Sequence, residues 1–370
     1  MSEADSAPPA AWLSGPRFDV LSVFAPAVLV FAVFAACVSL GASPLPFLWL
    51  WLACFDGPHM FATYSRVYSD GELWRTRPRL LWGSLLAFAV GPAWLGLAAL
   101  LRAPGLFTAF LALMSVYSYF HVVRQHWGFA ALYGARSSAR ATQAERWLLY
   151  AACWLPYVAF VATHPAITGQ AQLPASTLAL RSLLRVICGA GYLAALGLLL
   201  LGLVRSIAAR QPPQKSAYLL LAAAFHGLVY LLVAGYEPVF RGAVGLDQQF
   251  MLLSVMTGVF HSSQYVALVG LYHARTGSGL ARWFTERPLR WLLLVAPFVA
   301  VYLIVACGTS VYPGCQAWLG QAEGSLTGSQ LALGLWWGFA LHHYWLDERV
   351  WHVRRDARLR QAFGLGVNTT

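Results

Sequence analysis

Charge is what this 370-residue chain has least of: Asp, Glu, Lys and Arg together make up 11% of it, against roughly a quarter in an ordinary soluble domain. So little charge argues against a water-soluble enzyme. Acidic residues are the scarcer sign, 14 against 25 basic, for a net charge of +11. In a soluble chain that balance would suggest nucleic acid, but in a chain this apolar it reports cytoplasmic loops, so no nucleic-acid partner is expected. The six cysteines (Cys37, Cys54, Cys153, Cys188, Cys307 and Cys315) include no CxxC pair, and most fall in apolar stretches where Cys behaves as a small hydrophobe. Neither a disulfide framework nor a thiolate zinc site is expected. A signal-peptide cleavage site is also lacking, so the first apolar run is expected to remain as a membrane span. Coiled-coil heptads and a clear internal repeat are absent as well.

What the chain has in excess is apolar sequence. Hydrophobic residues reach 59%, mean hydropathy is +0.60 and there are 16 Trp, the composition of a chain that crosses a bilayer many times with aromatic residues at the interfaces. At roughly 20 residues per crossing, ten segments qualify, at about 18–41, 46–65, 80–101, 106–135, 147–163, 183–204, 216–236, 249–273, 289–308 and 330–352. The expected fold is all-α and polytopic, with about 10 transmembrane helices (8 to 10). A short cytoplasmic tail at 1–17 precedes a single membrane domain at 18–352, and a basic cytoplasmic tail follows at 353–370. A Gly-rich irregular loop at about 309–328 is expected outside.

The basic residues test this count independently. With the N-terminus inside, 20 of the 25 Lys and Arg fall on inner segments. Only Arg102, Arg181, Arg185 and Arg241 fall outside, and Arg124 lies within the fourth span. That alternation supports an even number of spans and an N-in, C-in orientation. A bacterial cytoplasmic membrane is the expected location.

Ionisable groups inside a bilayer are costly, and one that is present is a functional-site hypothesis by default. Most of the ten His lie in the spans. The second span carries Asp56-Gly-Pro-His59, the fourth His121, Arg124, Gln125 and His126, the eighth His261 with Tyr265, and the tenth His342, His343 and Asp347. Depth is counted back from the first cytoplasmic Arg of each helix. His59 lies 7 residues before Arg66, His126 lies 10 before Arg136, His261 lies 14 before Arg275, and His342 and His343 lie 7 and 6 before Arg349. At 1.5 Å per residue these are roughly 10–20 Å inside the cytoplasmic boundary, so four helices of one polarity place imidazoles in one slab.

Spacing decides which groups cooperate. His343 and Asp347, His121 and Gln125, and His261 and Tyr265 are i,i+4 pairs, and Asp56 and His59 are i,i+3, so each pair shares a helix face. His121 and His126, at i,i+5, stand about 140° apart on a straight helix. They meet at one ion only through a local distortion, or else they serve two ions, or one stands behind the ligands. The expected metal set is His59, His121, His126, His261, His342 and His343, with Asp56 and Asp347 as ligands or orienters. Tyr265, Arg124 and Gln125 are the candidate catalytic groups, Arg124 pairing with Asp56 or a substrate anion. Lone His226 and the boundary residue His273 are weaker candidates. Six imidazoles with carboxylates and no thiolate suit iron, copper or zinc. More imidazoles than a zinc hydrolase requires, set within a bilayer, suggest non-haem iron, one or two ions, with O2 as co-substrate beside a lipophilic small molecule.

The order Pro58-His59, Phe120-His121, Phe260-His261-Ser262 and a late His343-x-x-x-Asp347, each on its own hydrophobic segment, resembles the layout of the bacterioopsin-related-protein type β-carotene 15,15′-dioxygenases. More broadly it is similar to integral-membrane histidine-box non-haem iron enzymes. The resemblance covers four short motifs, with PHMFATY where the dioxygenases carry PHGxxD. It implies iron and O2 chemistry, with His59, His121, His261 and His343 as ligands. The function expected is therefore a membrane-embedded, iron-dependent oxygenase, hydroxylase or desaturase acting on a lipophilic substrate among membrane lipid, with an electron-donor protein on the cytoplasmic face. Two rivals remain: a b-haem protein that oxidises quinol, and a metal or proton transporter.

Overall fold

The computed structural model describes residues 11–137, 139–163, 175–243, 246–276, 288–307, 328–353 and 355–365, and these are helical with no strand among them. In chain order the helices are α1 (Pro16–Ser39), α2 (Pro46–Trp51), α3 (Gly57–Tyr68), α4 (Gly71–Thr76), α5 (Pro78–Leu100), α6 (Gly105–Arg136), α7 (Gln143–Thr163), α8 (Ala175–Ala208), α9 (Gln214–Gly227), α10 (Leu246–Thr276), α11 (Pro288–Cys307), α12 (Gly328–Val350) and α13 (Ala357–Ala362). All ten expected segments fall on helix. Six helices among the described residues are long and apolar enough to cross a membrane: α1, α5, α6, α8, the stretch Gln214–Gly235 that contains α9, and α10. Nearly all of the loop expected at 309–328 lies outside the described residues, as do His164 and Cys315.

The chain divides into two compact units, Met1–Pro46 with Val122–His261 and Phe47–His121 with Ser262–Thr370. In the first, α7, α8 and α9 pack on one another. Over the apolar stretch of α8 only 22% of residues are buried, and Leu180, Val186 and Leu193 lie open on its outer face. Apolar surface of that extent on a long helix suits lipid rather than water.

In the second unit α12 packs against α3, α5 and α11. Small residues set the closeness of the α5–α12 crossing. A Cβ added at Gly334 would stand 3.1 Å from the Gly91 carbonyl carbon, and one at Gly338 2.9 Å from Phe88 Cα. Such positions let two membrane helices touch backbone to backbone. At the ends of the unit, Asp70 caps α4 by accepting from the Glu72 and Leu73 N–H groups, and Asp356 caps α13 through Arg358 and Leu359.

Two π-helical turns interrupt the α-helical ladder beside histidines. Leu52–Asp56 leads into α3, where the Gly57 N–H reaches Leu52 O, five residues back, just before Pro58. Proline has no N–H to continue the ordinary ladder, so the widened turn accommodates it. The other, Leu228–Leu232, follows His226-Gly227 at the end of α9.

One expectation about cysteine is corrected. Cys37, Cys54, Cys153 and Cys188 are free, but Cys307 is disulfide-bonded. It is the last residue of α11 and is half-buried.

Candidate metal centre

Helix α12 places His343 and Asp347 one turn apart, both buried. The His343 Nε2 lies 2.9 Å from His59 Nε2 on α3 and 3.0 Å from His121 Nε2 on α6. His261 on α10 completes the group: one ring nitrogen from each of His59, His121, His261 and His343 lies within 4.8 Å of the others. All four side chains are buried. A neutral imidazole carries one N–H and one lone pair, so rings whose lone pairs converge repel one another, and a shared cation satisfies that geometry.

The neighbours orient these rings. Thr63, one turn after His59, holds its Oγ1 2.5 Å from His343 Nδ1. With Nδ1–H donating to Thr63, the Nε2 lone pair is turned towards the other imidazoles. Thr63 lies 2.8 Å from the Tyr265 hydroxyl and 3.3 Å from Asp347 Oδ1. Tyr265 donates to the same carboxylate oxygen at 2.5 Å and accepts from Trp351 Nε1 at 3.1 Å. The other oxygen, Asp347 Oδ2, stands 3.6 Å from His343 Nε2 and 3.9 Å from His121 Nε2. The Tyr265 ring closes on His59 at 4.6 Å, and Tyr344 stacks on His121 at 4.3 Å between centroids.

The other expected site residues go elsewhere. His342, turned by one residue from His343, places its Nε2 2.8 Å from the Tyr68 hydroxyl and 2.9 Å from Ser84 Oγ. Asp56, on the first π-helical turn, accepts from the Tyr302 hydroxyl on α11. His126 lies in the other unit, with Nδ1 2.8 Å from the Tyr218 hydroxyl. There too Gln125 donates to the His261 carbonyl at 2.8 Å, and Arg124 is half-buried. His273 is buried with its Nε2 3.4 Å from Ser65 Oγ, and His226 is fully buried beside His126. Sequence reasoning gave no role to Thr63, Tyr344 or Trp351. Thr63 carried a signal, since i,i+4 from His59 puts it on the ligand face.

No protein-family model, curated protein or solved structure matches this chain.

Proposed function

We propose that the protein is an integral-membrane oxygenase or hydroxylase that uses non-haem iron, held by His59, His121, His261 and His343, with O2 and a lipophilic substrate. The observation that carries this reading is the group of four buried imidazoles with ligand atoms within 4.8 Å of one another. Imidazole suits iron, copper and zinc alike, and the nearby Asp347 carboxylate, reached through hydroxyls, favours a redox ion whose charge it can balance. Bound iron would supply activation of O2. The chain's part is to orient the His343 imidazole through Thr63 and to keep bulk water from the ion behind Tyr265, Tyr344 and Trp351.

The nitrogen separations weigh against b-haem. Two imidazoles on opposite faces of one iron stand about 4 Å apart at ordinary metal–nitrogen distances, whereas His343 Nε2 is within 3.0 Å of two others. The proposed topology keeps ten spans with both termini inside. The disulfide at Cys307 supports it, because that end of α11 then faces the oxidising side. The proposed setting is a bacterial cytoplasmic membrane, with the electron donor docking on its Arg-rich inner face.

Elemental analysis and a visible spectrum of the same detergent-purified sample test the reading. Iron without a Soret band is expected, followed by O2 uptake on adding fatty acyl, carotenoid or isoprenoid substrates. A Soret band makes the protein a cytochrome, and a full His set with no affinity for iron removes the proposal.

A further inference from the structure

The unit built on Met1–Pro46 and Val122–His261 buries a second pair of imidazoles that the four-histidine group does not use. Helix α6 is an unbroken α-helix through His121 and His126, so the five-residue step turns His126 away from His121 and towards α9. His126 is fully buried and its Nε2 has no hydrogen-bond partner. A buried ring nitrogen left in that state is unfavourable unless something is there to meet it. What stands beside it is His226, also fully buried, with ring centroids 5.3 Å apart and ring planes at 77°.

That separation has a specific meaning. Two imidazoles bound to one tetrahedral ion, each with its ring centre about 3.2 Å from the metal, have centroids about 5.2 Å apart. We propose that His126 and His226 form a second metal site, distinct from the four-histidine group, for one divalent ion of the zinc, copper or iron class. Its other coordination positions are left to small exogenous ligands.

The surroundings fit that role. Tyr218, two turns before His226 on α9, lies 2.8 Å from His126 Nδ1. With Nδ1–H donating to it, the unpartnered Nε2 presents its lone pair to the ion. Phe260 packs on His126 at 4.9 Å, Phe225 lies 5.8 Å from His226, and Tyr230 stacks on His226 at 6.2 Å, giving the pair an aromatic enclosure. The Tyr218 ring lies 5.8 Å from that of Tyr133, whose hydroxyl donates to the buried Asp19 carboxylate at 2.9 Å.

The test is a Co(II) titration of the chelator-stripped full-length protein in detergent, with bound metal measured by elemental analysis and ligand geometry by the visible d–d bands. The wild type is expected to bind two equivalents, H343A one, and the double variant H126A/H226A one. Y218F is expected to keep both, with affinity at the second site weakened about 10–100-fold. Two equivalents retained by H126A/H226A would overturn the proposal, as would a wild-type single equivalent lost in H343A. If the double variant does not fold, the wild-type and H343A titrations decide alone. A single equivalent that survives H343A and disappears in H126A upholds this site while removing the four-histidine reading.

Discussion

In the unit containing α3 and α12, a carboxylate stands within reach of the imidazoles: Asp347 Oδ2 is 3.6 Å from His343 Nε2, and its partner oxygen is held by Tyr265. In the unit containing α7 and α9, the buried carboxylate among the described residues is Asp19. It is engaged by the Leu13 N–H at 2.7 Å, the Ser14 N–H at 3.1 Å and the Tyr133 hydroxyl. There the tyrosines come between acid and imidazole, and the rings of Tyr133 and Tyr218 form the link. Among the described residues each unit thus buries an acid, tyrosines and histidines, but only Asp347 stands at a histidine of its unit's site. A carboxylate at that distance balances the charge of a bound ion and raises the basicity of its ligands, whereas one spent on backbone N–H groups fixes a helix start. On the proposed function, that difference suits the four-histidine group to the redox ion and leaves the His126–His226 pair as the more neutral of the two proposed sites.

The largest expected effect comes from His343→Ala, which removes the imidazole that two others touch. Metal at the four-histidine group and O2 uptake should both be abolished while the protein stays monodisperse, and unchanged iron content would erase the contrast between the units. Asp347→Asn is next. It keeps the volume but removes the charge, and should weaken iron binding about 10–100-fold in a competition titration. An unaltered affinity would make Asp347 no different in kind from Asp19. Tyr133→Phe should leave iron binding untouched and cost about 1–3 kcal/mol in thermal unfolding, because a buried carboxylate loses a donor; altered iron content would join two sites here held separate. Smallest is Arg358→Ala, which breaks the exposed pairs to Asp70 and Glu72 at 3.4 and 2.8 Å. A change under about 1 kcal/mol with normal metal content is expected.

Relative depth along a helix was partly legible in the sequence, because the first Arg after each apolar segment serves as a ruler. Four of the six expected histidine ligands lie together, but His121 among them was not placed by that ruler, and His126 and His342, which were, lie elsewhere. Rotation about the axis was not legible, since each residue turns the helix by about 100°. Adjacent His342 and His343 therefore face different partners, and His121 and His126 diverge. Asp347 was readable because α12 keeps the ordinary i,i+4 register through it. Asp56 has comparable spacing to His59, yet its π-helical turn changes the phase and delivers it to Tyr302. The helical segments were legible throughout. Helix α12 nevertheless falls outside the six most apolar spans because it carries His342, His343, Asp347 and Glu348. The residues that make the site are the same ones that dilute its hydropathy.

Thr63 has one hydroxyl hydrogen and three polar neighbours in His343, Tyr265 and Asp347. Trp351 donates to the Tyr265 hydroxyl and Tyr265 to the carboxylate, so the Thr63 hydroxyl that receives the His343 hydrogen has its own left to point to Asp347. The orientation of that one O–H bond is tied to which imidazole nitrogen is protonated. In informational terms the network stores a single bit, written at Thr63 and read 2.9 Å from His59, and a side chain of the same size without the hydroxyl would fill the space and hold none of it.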